Sequence, residues 1–160
     1  MENQKEKKFS YVSVKLYEEV GLLPALLLQN IIYRCNRYKQ NNNELFYHDN
    51  IFWDIITVKQ IQQSLPIKRG TSQKQITRGL YKLEEKNFIK KKNFKYICNM
   101  YAPTEKVKEL LGDEYNLIEN NDNLYCCNDD KLKNFDFYAM EMRIEEYKRL
   151  QQKFSDKISL

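Results

Sequence analysis

Between Thr57 and Tyr101 the sequence sets two short apolar-periodic segments either side of turn residues, then changes to a lysine-rich aromatic stretch. In "TVKQIQQSLP", Val58, Ile61 and Leu65 recur at helical spacing behind Thr57, whose hydroxyl can accept a hydrogen bond from an open first turn. Pro66 stops that helix, because proline offers no N–H to the ladder. "IKRG" makes a turn, and Ser72 caps a second helix written "QKQITRGLYKLEEKN". Two helices joined this way read as a helix-turn-helix. "FIKKK" and "YICNMY" then read as two strands around a tight "NFK" connection. A helix-turn-helix followed by a β-hairpin is a winged helix. The expected fold class is therefore α+β, mainly α: a winged helix-turn-helix with a C-terminal helical extension.

Positive charge gathers on the same stretch. Thr57 to Ile97 holds eleven Lys/Arg against two Asp/Glu, a local +9. Met1 to Ile56 has seven of each sign, and Cys98 to Leu160 has nine basic against thirteen acidic residues. One-sided clustering of this kind is the electrostatic footprint of a polyanion partner. A merely solvated charged face is the alternative. On the second helix, Ile76, Leu80 and Leu83 share one face. Gln73, Lys74, Thr77, Arg78 and Tyr81 share another, with Lys82 at its margin and no carboxylate among them. A recognition helix presents its N-terminal residues to base edges. There Arg pairs with guanine and Gln with adenine, while Lys74, Lys82 and Thr77 suit phosphates. Ser72 starts this helix, Lys68 and Arg69 lie in the turn before it, and Lys90, Lys91, Lys92 and Lys95 lie on the wing. The expected partner is double-stranded DNA.

With 160 residues, one domain with an appendage is expected: 9–117 as the winged-helix domain, 118–134 as a polar linker or loop, and 135–160 as a C-terminal helix. Ahead of the helix-turn-helix, "YVSVKL" (11–16) reads as a short strand or a helix start. Pro24 suits the first position of a broadly buried helix, "PALLLQNIIYRCNRYK". "LFYHDNIFWDII" reads as a short strand and loop anchored by Trp53, and "TEKVKELLGDEY" as a helix capped by Thr104 and ended near Gly112. In the C-terminal helix, Phe137, Met140, Ile144, Tyr147 and Phe154 form an imperfect apolar stripe. It suits a homodimer or a replication or regulatory protein partner; packing on the chain's own first helix is the alternative.

Several classes are excluded by what the chain lacks. No apolar run approaches a membrane span, and no apolar stretch follows the charged start, so neither a membrane nor a secretory signal is expected. His48 is the sole histidine, and Cys35, Cys98, Cys126 and Cys127 form no CxxC pair. That set is poor for a metal, and thiols in a reducing cytoplasm are expected, with a redox or metal role left open for Cys126 and Cys127. Without a nucleophile motif or phosphate-binding loop, no catalytic residue and no cofactor are expected.

Two further segments carry a resemblance. "VGLLPALLLQNIIY" (20–33) is similar to the motif opening many replication proteins of phages and mobile elements, a Gly-Leu turn before an Ala- and Leu-rich helix ending in Gln and an aromatic. "WDIITVKQIQQSLP" (53–66) resembles the segment that follows, with Trp53, Thr57, Ile61, Leu65 and Pro66 at the matching positions. The ending "LEEKNFI" (83–89) resembles the close of that family's third helix. Arg34 stands where the family often has Trp, "KRG" at 68–70 is an insertion, and the chain beyond Tyr101 matches nothing in it. The resemblance implies a replication initiator of the replisome-organiser type, which binds origin DNA and recruits helicase-loading machinery. A winged-helix transcriptional regulator, or a non-enzymatic inhibitor or adaptor from a mobile element, are the alternatives.

Overall fold

A computed structural model of the chain describes residues 12–65, 71–94, 98–120, 145–146, 148–153 and 156. These residues form a mainly helical α+β arrangement with two small antiparallel sheets.

The first element is a helix, α1 (Val14–Val20), which decides between the two readings of "YVSVKL". Ser13 caps it, its hydroxyl accepting from the Leu16 N–H at 3.3 Å, and Leu16 and Val20 face the core. Gly21, at φ +87°, turns the chain into α2 (Leu22–Gln40). That helix starts two residues before Pro24 because the glycine makes the turn. Proline is tolerated inside the first turn, where its missing N–H has no intrahelical partner.

Every residue of α2 from Ala25 to Cys35 is buried, so its polar side chains need internal partners. Gln29 Oε1 accepts from the Ser13 N–H at 2.8 Å. Arg34 Nε donates to Asp54 Oδ2 at 2.9 Å, with both side chains buried, and the Tyr38 hydroxyl reaches Asp54 Oδ1 at 3.5 Å. Burial pushes the Asp54 carboxyl up from its ordinary range, against the opposing pull of Arg34 and Tyr38. Tyr38 also stacks flat on Phe46, ring centroids 3.8 Å apart.

The aromatic stretch after α2 folds into three two-residue strands. β1 (Tyr47–His48) and β2 (Ile51–Phe52) form a hairpin whose turn residues, Asp49 and Asn50, have φ of +52° and +65°. Positive φ at both central positions matches the twist of a two-residue hairpin. Trp53 is buried behind it and donates from Nε1 to the His48 carbonyl at 2.8 Å. β3 (Asp54–Ile55) leads into α3 (Val58–Ser64) and α4 (Gln73–Glu85), followed by β4 (Ile89–Phe94) and β5 (Cys98–Pro103). The sheet order is β3-β5-β4, antiparallel throughout. β4 runs two residues beyond the expected strand because Phe94 is buried, pairs with Cys98 and packs 5.4 Å from His48.

The helix expected to end near Gly112 does so: α5 (Glu105–Leu111) stops at Gly112, at φ +56°, and a further helix, α6 (Asp113–Asn120), follows it. Thr104 precedes α5 without a side-chain cap; its hydroxyl donates instead to the Asn87 carbonyl at 2.6 Å. Residues 118–120, expected to open a linker, belong to α6, and Ile118 lies in the core. α1, α4, α6 and β5 all pack on α2. Near the C-terminus, 145–146 and 148–153 are helical and exposed. The rest of the expected linker, and the stripe residues Phe137, Met140, Ile144, Tyr147 and Phe154, lie outside the described residues.

Removing one member of a buried ion pair leaves the other charge uncompensated. Asp54→Ala is expected to cost about 3–5 kcal/mol in urea denaturation, and a double Arg34→Met, Asp54→Val variant less than either single change. Desolvation pushes the Tyr101 phenol from 10.0 up to about 12. A raised folded-state pKa adds stability that is complete below the unfolded value and is lost as pH climbs through the folded one. Tyr101→Phe is therefore expected to flatten the stability loss between pH 10 and 12 in denaturation series across that range.

Candidate nucleic-acid interface

α3 and α4 start by the same device. Thr57 Oγ1 accepts from the Gln60 N–H at 3.2 Å while Gln60 Oε1 accepts from the Thr57 N–H at 3.0 Å. Ser72 and Gln75 repeat this at 3.1 and 2.8 Å. Each reciprocal pair satisfies two orphan donors, and its signature, Ser or Thr three residues before Gln, is readable in "TVKQ" and "SQKQ". α3 is tied to the start of α4 by Gln62, which donates to the Thr71 carbonyl at 2.8 Å and accepts from Gln73 at 3.5 Å. On its inner side α4 buries Ile76, Gly79, Leu80 and Leu83. A Cβ on Gly79 would stand 2.8 Å from Leu27 Cδ1, so the glycine permits the close approach of α4 to α2.

Ser72, Gln73, Lys74, Thr77, Arg78, Tyr81 and Lys82 are all exposed on α4 or at its cap. They are not equally available. The Ser72 hydroxyl caps the helix, Thr77 Oγ1 donates back to the Gln73 carbonyl at 2.9 Å, and the Gln73 amide turns toward Gln62. The side chains of Lys74, Arg78, Tyr81 and Lys82 make no hydrogen bond or ion pair with another described residue. Their spacing of four, three and one puts two cations, an aromatic hydroxyl and a marginal third cation along one stripe.

The lysines of β4 are a less uniform set than their sequence run suggests. Lys90, Lys91 and Lys92 are exposed, but Lys91 Nζ lies 3.3 Å from Glu84 Oε2 and Lys92 Nζ lies 2.6 Å from Asp49 Oδ2. Lys92 also sits 5.7 Å from the centre of the Trp53 ring. Its hydrogen bond and charge hold the Asp49 carboxyl below its ordinary range. The β1–β2 turn delivers Asp49 across 43 residues of sequence, a separation that local spacing does not reveal. Lys68, Arg69 and Lys95 lie outside the described residues.

Asp49 and Glu84 are thus site residues that the sequence reading missed, although "YHDNIFW" carries the aromatic flanks and turn residues of a hairpin. Among the described residues no group of His, Cys, Asp and Glu could hold a metal ion, and no helix is long and apolar enough to cross a membrane. Burial pushes the Cys35 thiol well up, and it points at the Tyr101 carbonyl at 3.7 Å. No protein-family model, curated protein or solved structure matches the chain.

The Ser72–Gln75 cap holds the first turn of α4, where the exposed stripe begins. Ser72→Ala is expected to cost about 0.5–2 kcal/mol in chemical denaturation. Ser72→Asp, which keeps an acceptor at the cap, is expected to recover most of that loss.

Proposed function

We propose that this chain is a winged helix-turn-helix protein that binds double-stranded DNA, with α4 in the major groove and β4–β5 as the wing. The observation that carries the reading is the stripe of Lys74, Arg78, Tyr81 and Lys82, exposed on a helix whose opposite face is locked into the core. The succession α2, β3, α3, α4, β4, β5, with β3 beside β5, supports it, since a winged helix is built in that order. The paired lysines of β4 refine the reading: phosphates would compete with Asp49 and Glu84 for Lys92 and Lys91, which makes the wing a weaker contact than its charge count implies.

The role we propose is that of a phage or mobile-element replication initiator of the replisome-organiser type. It rests on the resemblance at 20–33 and 53–66. A footprint of the purified protein on the flanking genome tests it. Protection at an origin supports replication, protection at a promoter replaces it with transcriptional regulation, and absence of duplex binding overturns the DNA reading altogether.

Arg78 is the residue assigned to sequence reading, because a planar guanidinium can grip a guanine edge with two bonds. Arg78→Ala is expected to cost roughly 1–3 kcal/mol in preference for the specific site while cutting random-duplex binding less. Arg78→Lys is expected not to restore that preference, because an ammonium lacks the fork. Equal loss on both duplexes in gel-shift titrations would make Arg78 a phosphate contact. On the wing, converting Lys90, Lys91 and Lys92 to Ala is expected to weaken all duplexes and flatten the salt dependence. Asp49→Asn, which removes the charge facing Lys92, is expected to do the opposite; unchanged salt slopes in both variants would remove the wing from the interface.

A further inference from the structure

α4 packs on the first half of α2, around Leu27. The second half of α2 forms the floor of a separate cleft of about 450 Å³. Ile32 and Cys35 of α2, with Ala102 and Pro103 of β5, supply an apolar base. One wall is the β1–β2 hairpin, where Tyr47 and Phe52 pair across the strands with ring centroids 4.9 Å apart. The other is α5–α6, which contributes Tyr115. From Leu27 to Cys35 is roughly 12 Å along the helix axis, so the cleft and the α4 stripe are distinct surfaces. Its volume falls in the range of small-molecule sites, which are mostly apolar with a few placed polar groups.

The charges around this cleft are not all equivalent. Lys108 is already matched by Glu105 at 3.2 Å and lies 5.6 Å from the centre of the Tyr115 ring. Lys39 and Lys90, from α2 and β4, also line the cleft, and neither has an ion-pair partner among the described residues. Glu119 is the remaining carboxyl, and burial pushes it up from its ordinary range against Lys108 and Lys39. Asn36 commits its amide to the Glu119 carbonyl at 3.1 Å. Tyr47 remains 45% exposed at the rim, a large apolar ring with one side open. Lys39, which also faces the Glu119 carboxyl, and Lys90 beside three aromatic rings and an apolar base are complementary to a flat ring carrying a negative group.

We propose that this cleft binds a small aromatic anion, its ring against Tyr47, Phe52 and Tyr115 and its negative group on Lys39 and Lys90. The proposal shares Lys90 with the proposed wing but does not rest on the DNA reading, since none of the α4 stripe lines the cleft.

Titration of the full chain, followed by amide NMR shifts, tests it with 5′-AMP and salicylate as probes and with adenosine and inorganic phosphate as controls. Both aromatic anions are expected to give saturable shifts at millimolar concentration that map to α2 beyond Ile32, the β1–β2 hairpin and α6. Each control is expected to bind about tenfold more weakly, because it offers only one of the two features. A Lys39→Ala, Lys90→Ala double variant, changed only at exposed positions, is expected to lose about tenfold in probe affinity. Lys39→Ala alone is expected to leave duplex binding as it is, so a failed DNA reading and a failed cleft are told apart. No saturable shift with either probe, shifts confined to α4, equal binding of a control, or wild-type affinity in the double variant would each overturn the proposal.

Discussion

Arg34 and Asp54 meet 2.9 Å apart where the central helix passes the first strand of the three-stranded sheet. The pair is buried among apolar side chains, and neither charge has water as an alternative partner. Such a contact is weak evidence for net stability, because desolvation offsets most of the attraction. Its consequence is geometric. Moving α2 along or around its axis would strand a guanidinium in the core, so α2 and β3 hold a single register. Everything else is measured from that helix: α1 through Gln29 and the Ser13 N–H, α4 through Gly79 and Leu27, and α6 through Asn36 and the Glu119 carbonyl.

This frame explains how two surfaces of different chemistry share one small domain. α4 lies on the early turns of α2 and turns its cations outward, while the hairpin and α6 flank the later turns and leave an aromatic cleft between them. β4 touches both. Its Lys90 borders the cleft, and its Lys91 and Lys92 face carboxylates from α4 and from the hairpin turn. The Lys92 side chain also covers the Trp53 ring, so the residue that anchors the hairpin in the core helps hold the charge of β4 in place.

The α3–α4 segment was the most legible part of the chain, because its signals are local. Thr57 and Ser72 sit at the caps, and Ile61, Leu65, Ile76, Leu80 and Leu83 are buried at the spacing that marks a helix face. Boundaries set by backbone sign were unevenly legible: Gly21 moved the start of α2 ahead of Pro24, whereas Gly112 ended α5 where its sequence position indicated. Leu117 and Ile118 adjoin in sequence, which gave no local sign that α6 would expose the first and return the second to the core.

The sequence by itself determined that α3 and α4 are helices, where those two are capped and which face of α4 carries the cations, because periodicity and capping act over three or four residues. It also placed the excess positive charge between Thr57 and Ile97. Only the tertiary structure decided which of those cations are available. Asp49 reaches Lys92 from 43 residues away, Glu84 reaches Lys91 from the preceding helix, and Thr77 turns its hydroxyl back on its own helix. The cleft is likewise a product of packing, since its walls come from elements separated by the whole helix-turn-helix. Net charge is additive along a chain, but the field a partner meets depends on which charges fold against one another.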